Sequence, residues 1–238
     1  MIAAIDSGNS HIKLGIFDKA KLIKSYNSVD EGAIAGILSG EQIKRVVISD
    51  VGGRLDRLVK ELSGKIPVLS VQAGLKFPFR ISYKTSETLG TDRIAAVAGA
   101  WDKFGPADIL VIDTGSCITY DFIDHEGNYY GGGISPGIAM RLKSLHAFTA
   151  GLPEIEPRDD FGLIGTDTRS SMINGTVGGV VEEIKGLIKN FQHNNPGIKT
   201  VLCGGNAVFF ESRLKGTIFV VPGLVLYGLV VISGYNEI

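Results

Sequence analysis

Ile2-Ala3-Ala4-Ile5-Asp6-Ser7-Gly8-Asn9-Ser10 is a short apolar run that breaks on an acid and continues as turn chemistry, and Ile109-Leu110-Val111-Ile112-Asp113-Thr114-Gly115-Ser116 repeats its pattern. Each copy is followed by a second apolar stretch that ends at an acid, Ile12 to Phe17 before Asp18 and Ile118 to Ile123 before Asp124. Apolar runs bounded by Asp, Ser, Gly and Asn read as strands joined by tight turns, so each copy predicts a β-hairpin. One such hairpin is common enough to arise by chance. Two, with similar strands on both sides and each opening its own part of the chain, point to an internal duplication. The expectation is two lobes of similar construction, residues 1–107 and 108–238, with a boundary near Gly105-Pro106.

Outward from these copies, Val46-Val47-Ile48 reads as a buried strand, Leu55 to Leu62 as an amphipathic helix and Val68 to Val71 as another strand. That alternation predicts an α/β fold. Gly204-Gly205 follows the strand-like Val201-Leu202-Cys203 and precedes a possible helix, a place where open α/β sheets hold nucleotides, here adenosine. Gly131-Gly132-Gly133 reads as a strand end that leads through Ser135 into a helix with Pro136 at its first position. The most apolar stretch, Ile218 to Ser233, is interrupted by Pro222, Gly223 and Gly228. It is shorter than the roughly 20 residues that span a bilayer and reads as core.

With 44% hydrophobic and 21% charged residues among 238, the chain can bury a core, and disorder is excluded. Its 24 basic and 25 acidic residues form no long run of one sign, which argues against a nucleic-acid partner. No stretch predicts a membrane partner either. Two cysteines without CxxC spacing and four scattered histidines suggest neither a disulfide framework nor a metal cluster, and fit a reducing compartment. The N-terminus reaches Asp6 too soon for a signal peptide, so a cytoplasmic location is expected. Cys117, beside the second turn, has no base partner nameable from sequence and is expected to be a small buried side chain.

Neither GxxxxGK[ST] nor a strand-linked GxGxxG occurs, so phosphate would have to be held another way. Backbone N–H groups of a turn such as Asp6-Ser7-Gly8-Asn9 can face phosphate oxygens, with glycine leaving them accessible. Magnesium takes one or two carboxylates plus phosphate and water, which suits isolated acids at Asp6 and Asp113. Lys13 is either a point charge toward phosphate or a solvated lysine on a strand face. Thr91-Asp92-Arg93 precedes the helical apolar pattern Ile94 to Trp101, which places Asp92 in a first turn where the helix dipole favours its ionised form. There it could accept the proton of a substrate hydroxyl or simply serve the helix terminus. Arg93 fits contact with substrate or phosphoryl charge, and equally a surface ion pair.

The run Asp6-Ser7-Gly8-Asn9-Ser10-His11-Ile12-Lys13 resembles the opening D-x-G-N-[TS]-x-x-K motif of the type III pantothenate kinases. Gly90-Thr91-Asp92-Arg93 is similar to that family's G-x-D-R, and Asp113 to Thr119 to its D-x-G-[TS]-x-x-T. Gly131 to Gly137 resembles its G-G-x-I-x-P-G segment and Gly165-Thr166-Asp167-Thr168 its later threonine-bearing loop, and Gly204-Gly205-Asn206-Ala207 completes the set in order. Ser10 and Ser116 stand where threonine is frequent, Cys117 where alanine is, and Ser7 where an apolar residue is common.

The resemblance implies two actin-like, ribonuclease H-like lobes, with mixed sheets flanked by helices and a nucleotide cleft between them. It implies ATP-dependent phosphorylation of pantothenate to 4'-phosphopantothenate, the first step of coenzyme A synthesis, by a cytoplasmic homodimer whose substrate site lies near the dimer interface. By the same resemblance Asp92 is the proton acceptor. Asp6, Ser7, Gly8, Asn9, Ser10, His11, Ile12, Lys13 and Ser116 would contact ATP, with magnesium at Asp6 and potassium or ammonium at Asp113. Tyr83, Gly90, Thr91, Asp92, Arg93 and Thr168 would contact pantothenate. The phosphate turns say more about ATP than about the acceptor, so a kinase of another small alcohol or sugar remains a rival. A nucleotide-binding transcriptional accessory protein is another, against which retention of Asp6, Asp92 and Asp113 speaks.

Overall fold

The computed structural model describes residues 1–236 except Asn9, Lys215 and Thr217. In chain order its elements are β1 (Ile2–Ser7), β2 (Ile12–Asp18), β3 (Lys21–Tyr26), α1 (Glu31–Ser39), β4 (Arg45–Asp50), α2 (Asp56–Leu62), β5 (Val68–Ser70), β6 (Arg80–Ile81) and α3 (Thr91–Phe104). There follow β7 (Ile109–Thr114), β8 (Cys117–Ile123), β9 (Asn128–Pro136), α4 (Ile138–Ala147), α5 (Thr168–Ile173), α6 (Gly179–Asn194), β10 (Lys199–Cys203), α7 (Ala207–Glu211), β11 (Ile218–Val220) and α8 (Leu224–Tyr235). The chain divides into two compact units, one of residues 1–107, 121–131 and 223 onward, the other of residues 108–120 and 132–222.

In the first unit β3-β2-β1-β4-β5 form one sheet, with β2 antiparallel to β1 and β3, and β4 parallel to β1 and β5. Side chains alternate across a strand. Ala3 and Ile5 therefore join Leu14, Val46 and Ile48 in a core with Ile34, Leu38, Leu58 and Leu62 of α1 and α2. Ala4 and Asp6 take the other face, which α3 and α8 cover. Small residues let those helices approach, since a Cβ on Gly15, the partner of Ala4, would press on Leu226 of α8. Ser7 falls on the α1/α2 side opposite Ile12, and its fully buried hydroxyl finds no hydrogen-bond partner among the described residues. An apolar side chain at that position would avoid the desolvation penalty.

In the second unit β7 pairs parallel with β10 and β10 with β11. These strands belong to a sheet of order β11-β10-β7-β8-β9-β6, whose β6 and residues 121–131 of β8 and β9 count with the first unit, and its first five strands repeat the order of the other sheet strand for strand. Asp6 is the penultimate residue of β1 and Asp113 of β7, and their parallel neighbours are Ser49 and Cys203. The sequence echo is thus an echo of topology.

Two local expectations change. The strand through the triple glycine does not stop there: β9 runs to Pro136, and α4 begins at Ile138 behind Gly137, so Pro136 closes a strand and does not open a helix. Cys117 is half-buried, and Cys203 is the buried cysteine. The C-terminal apolar stretch resolves into β11 and α8, and α8 is core of the first unit. Among the described residues no helix is long and apolar enough to cross a membrane.

Candidate active site

The first turn is built by the β1–β2 hairpin, whose register sets Lys13 opposite Asp6 on one sheet face. Asp6 is 7% exposed. Gly8 closes the turn by donating its N–H to the carbonyl of His11 at 3.2 Å, so that amide is used within the turn. Among the described residues a Cβ at Gly8 would meet the His11 carbonyl at 3.7 Å, an ordinary contact. The Gly8 carbonyl accepts from Arg54 at 3.1 Å. Of the other predicted contacts, Ser10 and His11 are exposed, His11 bonds Ser28 at 3.0 Å, and Ile12 is buried and has only its backbone to offer. Asn9 lies outside the described residues.

Asp6 and the Gly90–Arg93 segment meet through Ser49. This fully buried serine is the β4 neighbour of Asp6, and its hydroxyl lies 2.9 Å from that of Thr91. Gly90 is the residue before α3, and a Cβ there would sit 2.5 Å from Asp92 Oδ1, so the glycine leaves room for the carboxylate to fold back over the helix start. Asp92 Oδ1 accepts the Arg93 N–H at 2.8 Å. Burial raises the Asp92 pKa above the ordinary carboxylate value. The Arg93 N–H opposes that shift, and the charge of Asp121 adds to it. Position at a helix start favours the ionised form, and burial works against it. A base whose pKa is raised toward the working pH holds a proton better once it has taken one.

Arg93 is not on the surface. It is 6% exposed and its guanidinium donates to Asp121, itself 1% exposed, from Nη2 at 2.7 Å and from Nε at 3.1 and 3.2 Å. Tyr129 donates its hydroxyl to the same carboxylate at 2.6 Å. The Arg93 guanidinium lies 5.9 Å from the centre of the Tyr83 ring, within cation–π range. Tyr83 in turn lies on Gly131, where φ is +82° and a Cβ would overlap the ring. The first of the three glycines therefore gives Tyr83 its place.

In the second unit Asp113, Thr114 and Ser116 form the corresponding turn, tied down from two sides. Gly137 donates its N–H to the Ser116 carbonyl at 3.1 Å, and a Cβ on Gly137 would lie 2.5 Å from that oxygen. Gly204 has φ +92°, and a Cβ there would lie 2.5 Å from Asp113 Oδ1 and 2.6 Å from the Thr114 nitrogen. The Thr114 hydroxyl donates to the Cys203 carbonyl at 2.8 Å, and Asn206 Nδ2 to the Thr114 carbonyl at 3.0 Å. The Ser116 side chain is left exposed, and Cys203 Sγ is 3.5 Å from Asp113 Oδ2. Gly204→Ala is expected to destabilise the protein by about 1–3 kcal/mol through backbone strain and overlap. Chemical denaturation reads this, and an unchanged midpoint would refute the close packing of the second turn.

Thr168 also belongs to the second unit. It opens α5 behind Asp167, which accepts from the Ser170 N–H at 3.0 Å in a capping box. It lines a cavity of about 560 Å³ together with Leu145, Leu152, Gly165, Thr166, Asp167, Ser171 and Met172. Sequence reading missed Ser49, Asp121 and Tyr129, and it placed Gly137 in a motif without its contact to Ser116. Asp121 was visible as a lone acid in the apolar strand Ile118 to Ile123, a residue type almost never buried unless paired.

Among the described residues no group of three or more His, Cys, Asp or Glu could by itself hold a metal ion. A divalent ion at Asp6 would take most of its ligands from phosphate and water, the habit of magnesium.

The α/β architecture, with two mixed sheets flanked by helices, is that of the actin-like ATPases and sugar kinases. A candidate N-acetylmannosamine kinase from Listeria monocytogenes superposes with a TM-score of 0.57 at 13% identity over 99% of both chains. A candidate Baf-family transcriptional activator from Campylobacter jejuni superposes with a TM-score of 0.64 at 22% identity over 98% of this chain and 97% of its own. A family model described as type III pantothenate kinase matches residues 2–190. The protein of that designation from Phocaeicola vulgatus is 38% identical over 98% of both sequences. The chain belongs to the type III pantothenate kinase family, and it is a kinase.

Proposed function

We propose that the chain transfers the γ-phosphoryl group of ATP to the primary hydroxyl of pantothenate, with Asp92 accepting the hydroxyl proton. The observation that carries this reading is the placement of a half-buried carboxylate of raised pKa at the start of α3, joined through Thr91 and Ser49 to the Asp6 turn. Phosphoryl transfer asks the protein mainly for positioning and charge neutralisation. Asp6 would hold magnesium, Lys13 opposite it would meet phosphate charge, and Ser116 with the Gly204-Gly205 segment would contact the nucleotide. Asp113 would bind potassium or ammonium. Tyr83, Gly90, Thr91, Arg93 and Thr168 would receive pantothenate.

The second unit displays Phe148, Leu163 and Ile164 almost fully exposed, and Gly165, which follows Ile164 in the chain, lines the Thr168 cavity. Apolar side chains this exposed are candidates for burial against a second copy, which supports a homodimer. We place the enzyme in the cytoplasm, where ATP is available.

The test is a coupled ADP-release assay with magnesium-ATP, with and without pantothenate, in potassium, ammonium or sodium. Turnover that requires pantothenate and is stimulated by potassium or ammonium is expected. Turnover indifferent to pantothenate would redirect the acceptor to another small alcohol or sugar, and ATP binding without turnover would overturn the kinase reading.

A further inference from the structure

We propose that Asp121 is a positioning residue of the acceptor site: it grips the Arg93 guanidinium from the buried side and thereby fixes the first turn of α3, and Asp92 within it, for proton transfer. The proposal rests on the reading of Asp92 as the base.

Asp121 lies on β8, Tyr129 on β9 and Arg93 on α3, and the carboxylate joins all three. A buried charge is tolerated only when paired and hydrogen-bonded. Here the guanidinium supplies Nε and Nη2, and Tyr129 adds its hydroxyl. Burial alone would lower the Arg93 pKa, and the hydrogen bonds and charge of Asp121 hold it well up, so Arg93 stays cationic. Arginine carries five N–H donors in a rigid fork. Its Nε and Nη2 face Asp121, and a side-chain hydrogen bond with Tyr83 also favours the cation.

The orientation passes to the neighbours. Arg93 follows Asp92 directly, and the Arg93 N–H is the donor to Asp92 Oδ1. The same guanidinium approaches the face of Tyr83, whose other support is Gly131. Tyr83, Arg93 and Asp92, three residues expected to meet the acceptor, therefore share one anchor that need not touch the substrate.

Asp121→Asn keeps the shape and removes the charge. The expected result is a fall of about 100-fold in kcat/KM for pantothenate, the scale of a misplacement near 1 Å. KM for ATP should change by less than about twofold, because the loss lies on the acceptor side. Combined with Arg93→Met, the Asn substitution should add little to the loss caused by Arg93→Met alone, as befits residues acting through one contact. Wild-type kinetics, additive losses in the double variant, or a parallel loss for ATP and pantothenate would each overturn the proposal. If Asp121→Asn does not fold, Tyr129→Phe decides: a several-fold rise in KM for pantothenate at unchanged KM for ATP supports it, and no change refutes it. Asp92→Asn separates the two readings, since full activity there removes the base itself, whereas an inactive Asp92→Asn beside a fully active Asp121→Asn sinks only the positioning role.

Discussion

Replacing Asp92 with asparagine is expected to lower kcat by about 10²–10⁴-fold, the usual contribution of a positioned general base, while the affinity for magnesium-ATP stays close to that of the native enzyme. The substitution preserves the side-chain oxygen that receives the Arg93 N–H and removes the charge and the capacity to take a proton. Loss of ATP binding in this variant, or retention of turnover, would refute the assigned role. Single-turnover ADP formation together with nucleotide titration distinguishes the outcomes.

The same variant should be more stable than the native protein at neutral pH. Burial raises the Asp92 pKa, so the ionised carboxylate is less comfortable folded than unfolded. That penalty is fully present above the folded-state pKa, shrinks as pH falls through it, and vanishes below the unfolded value of about 3.9. The advantage of Asp92→Asn in thermal midpoint should therefore fade over that window. In the native enzyme the acid limb of kcat/KM for pantothenate should lie above the ordinary aspartate range, because the base works only when deprotonated. A limb at the ordinary value would show that desolvation does not govern this carboxylate.

How far the site could be read from residues depended on whether its signals are local. The two Asp-Xaa-Gly turns are local, since an apolar run that ends on an acid and a glycine announces a strand and its turn whatever surrounds it. Their equivalence in the two sheets follows from the same pattern. Asp92 was placed at a helix start because the apolar periodicity after it is local too. What could not be read is where long-range packing sends a charge. Arg93, on the first turn of a helix, looks like a surface cation and is buried against Asp121 from a different strand. The Gly204 and Gly137 positions follow the same logic, because their lack of a side chain matters only against Asp113, Thr114 and Ser116 far away in sequence. Pro136 misled for a related reason: a proline after glycines suits a helix start, but pairing within the sheet carried β9 through it.

Gly228→Ala is the second change with a large expected effect. Within the apolar C-terminal stretch this glycine reads as an interruption, yet it sits inside α8, where glycine is worse than alanine by about 1 kcal/mol on propensity alone. Propensity therefore predicts that alanine stabilises, and packing predicts the reverse. A Cβ at Gly228 would overlap the carbonyl oxygen of Ala95 on α3 and lie 2.9 Å from the Gly99 nitrogen. A Cβ at Gly99 would in turn meet the Leu224 carbonyl at 2.8 Å. Backbone faces backbone on both helices, so no side chain can rotate away and the helices must separate. Overpacking of this kind costs about 1–3 kcal/mol, occasionally more, and rigid neighbours place Gly228→Ala at the upper end. For a chain of this size that corresponds to a fall of roughly 6–12 °C in Tm. Because α3 carries Asp92, kcat should also drop well below Tm. Gly36→Ala is the control, on an exposed face of α1 with nothing among the described residues within 4 Å of the added Cβ, and it should gain about 0.4–1 kcal/mol. If both substitutions raise Tm, propensity governs α8 and the contact between the helices is looser than the structure shows. If Gly228→Ala falls and Gly36→Ala rises, the glycine is there for the approach of α3, and the apolar tail of the sequence is the support on which the helix bearing the base is set.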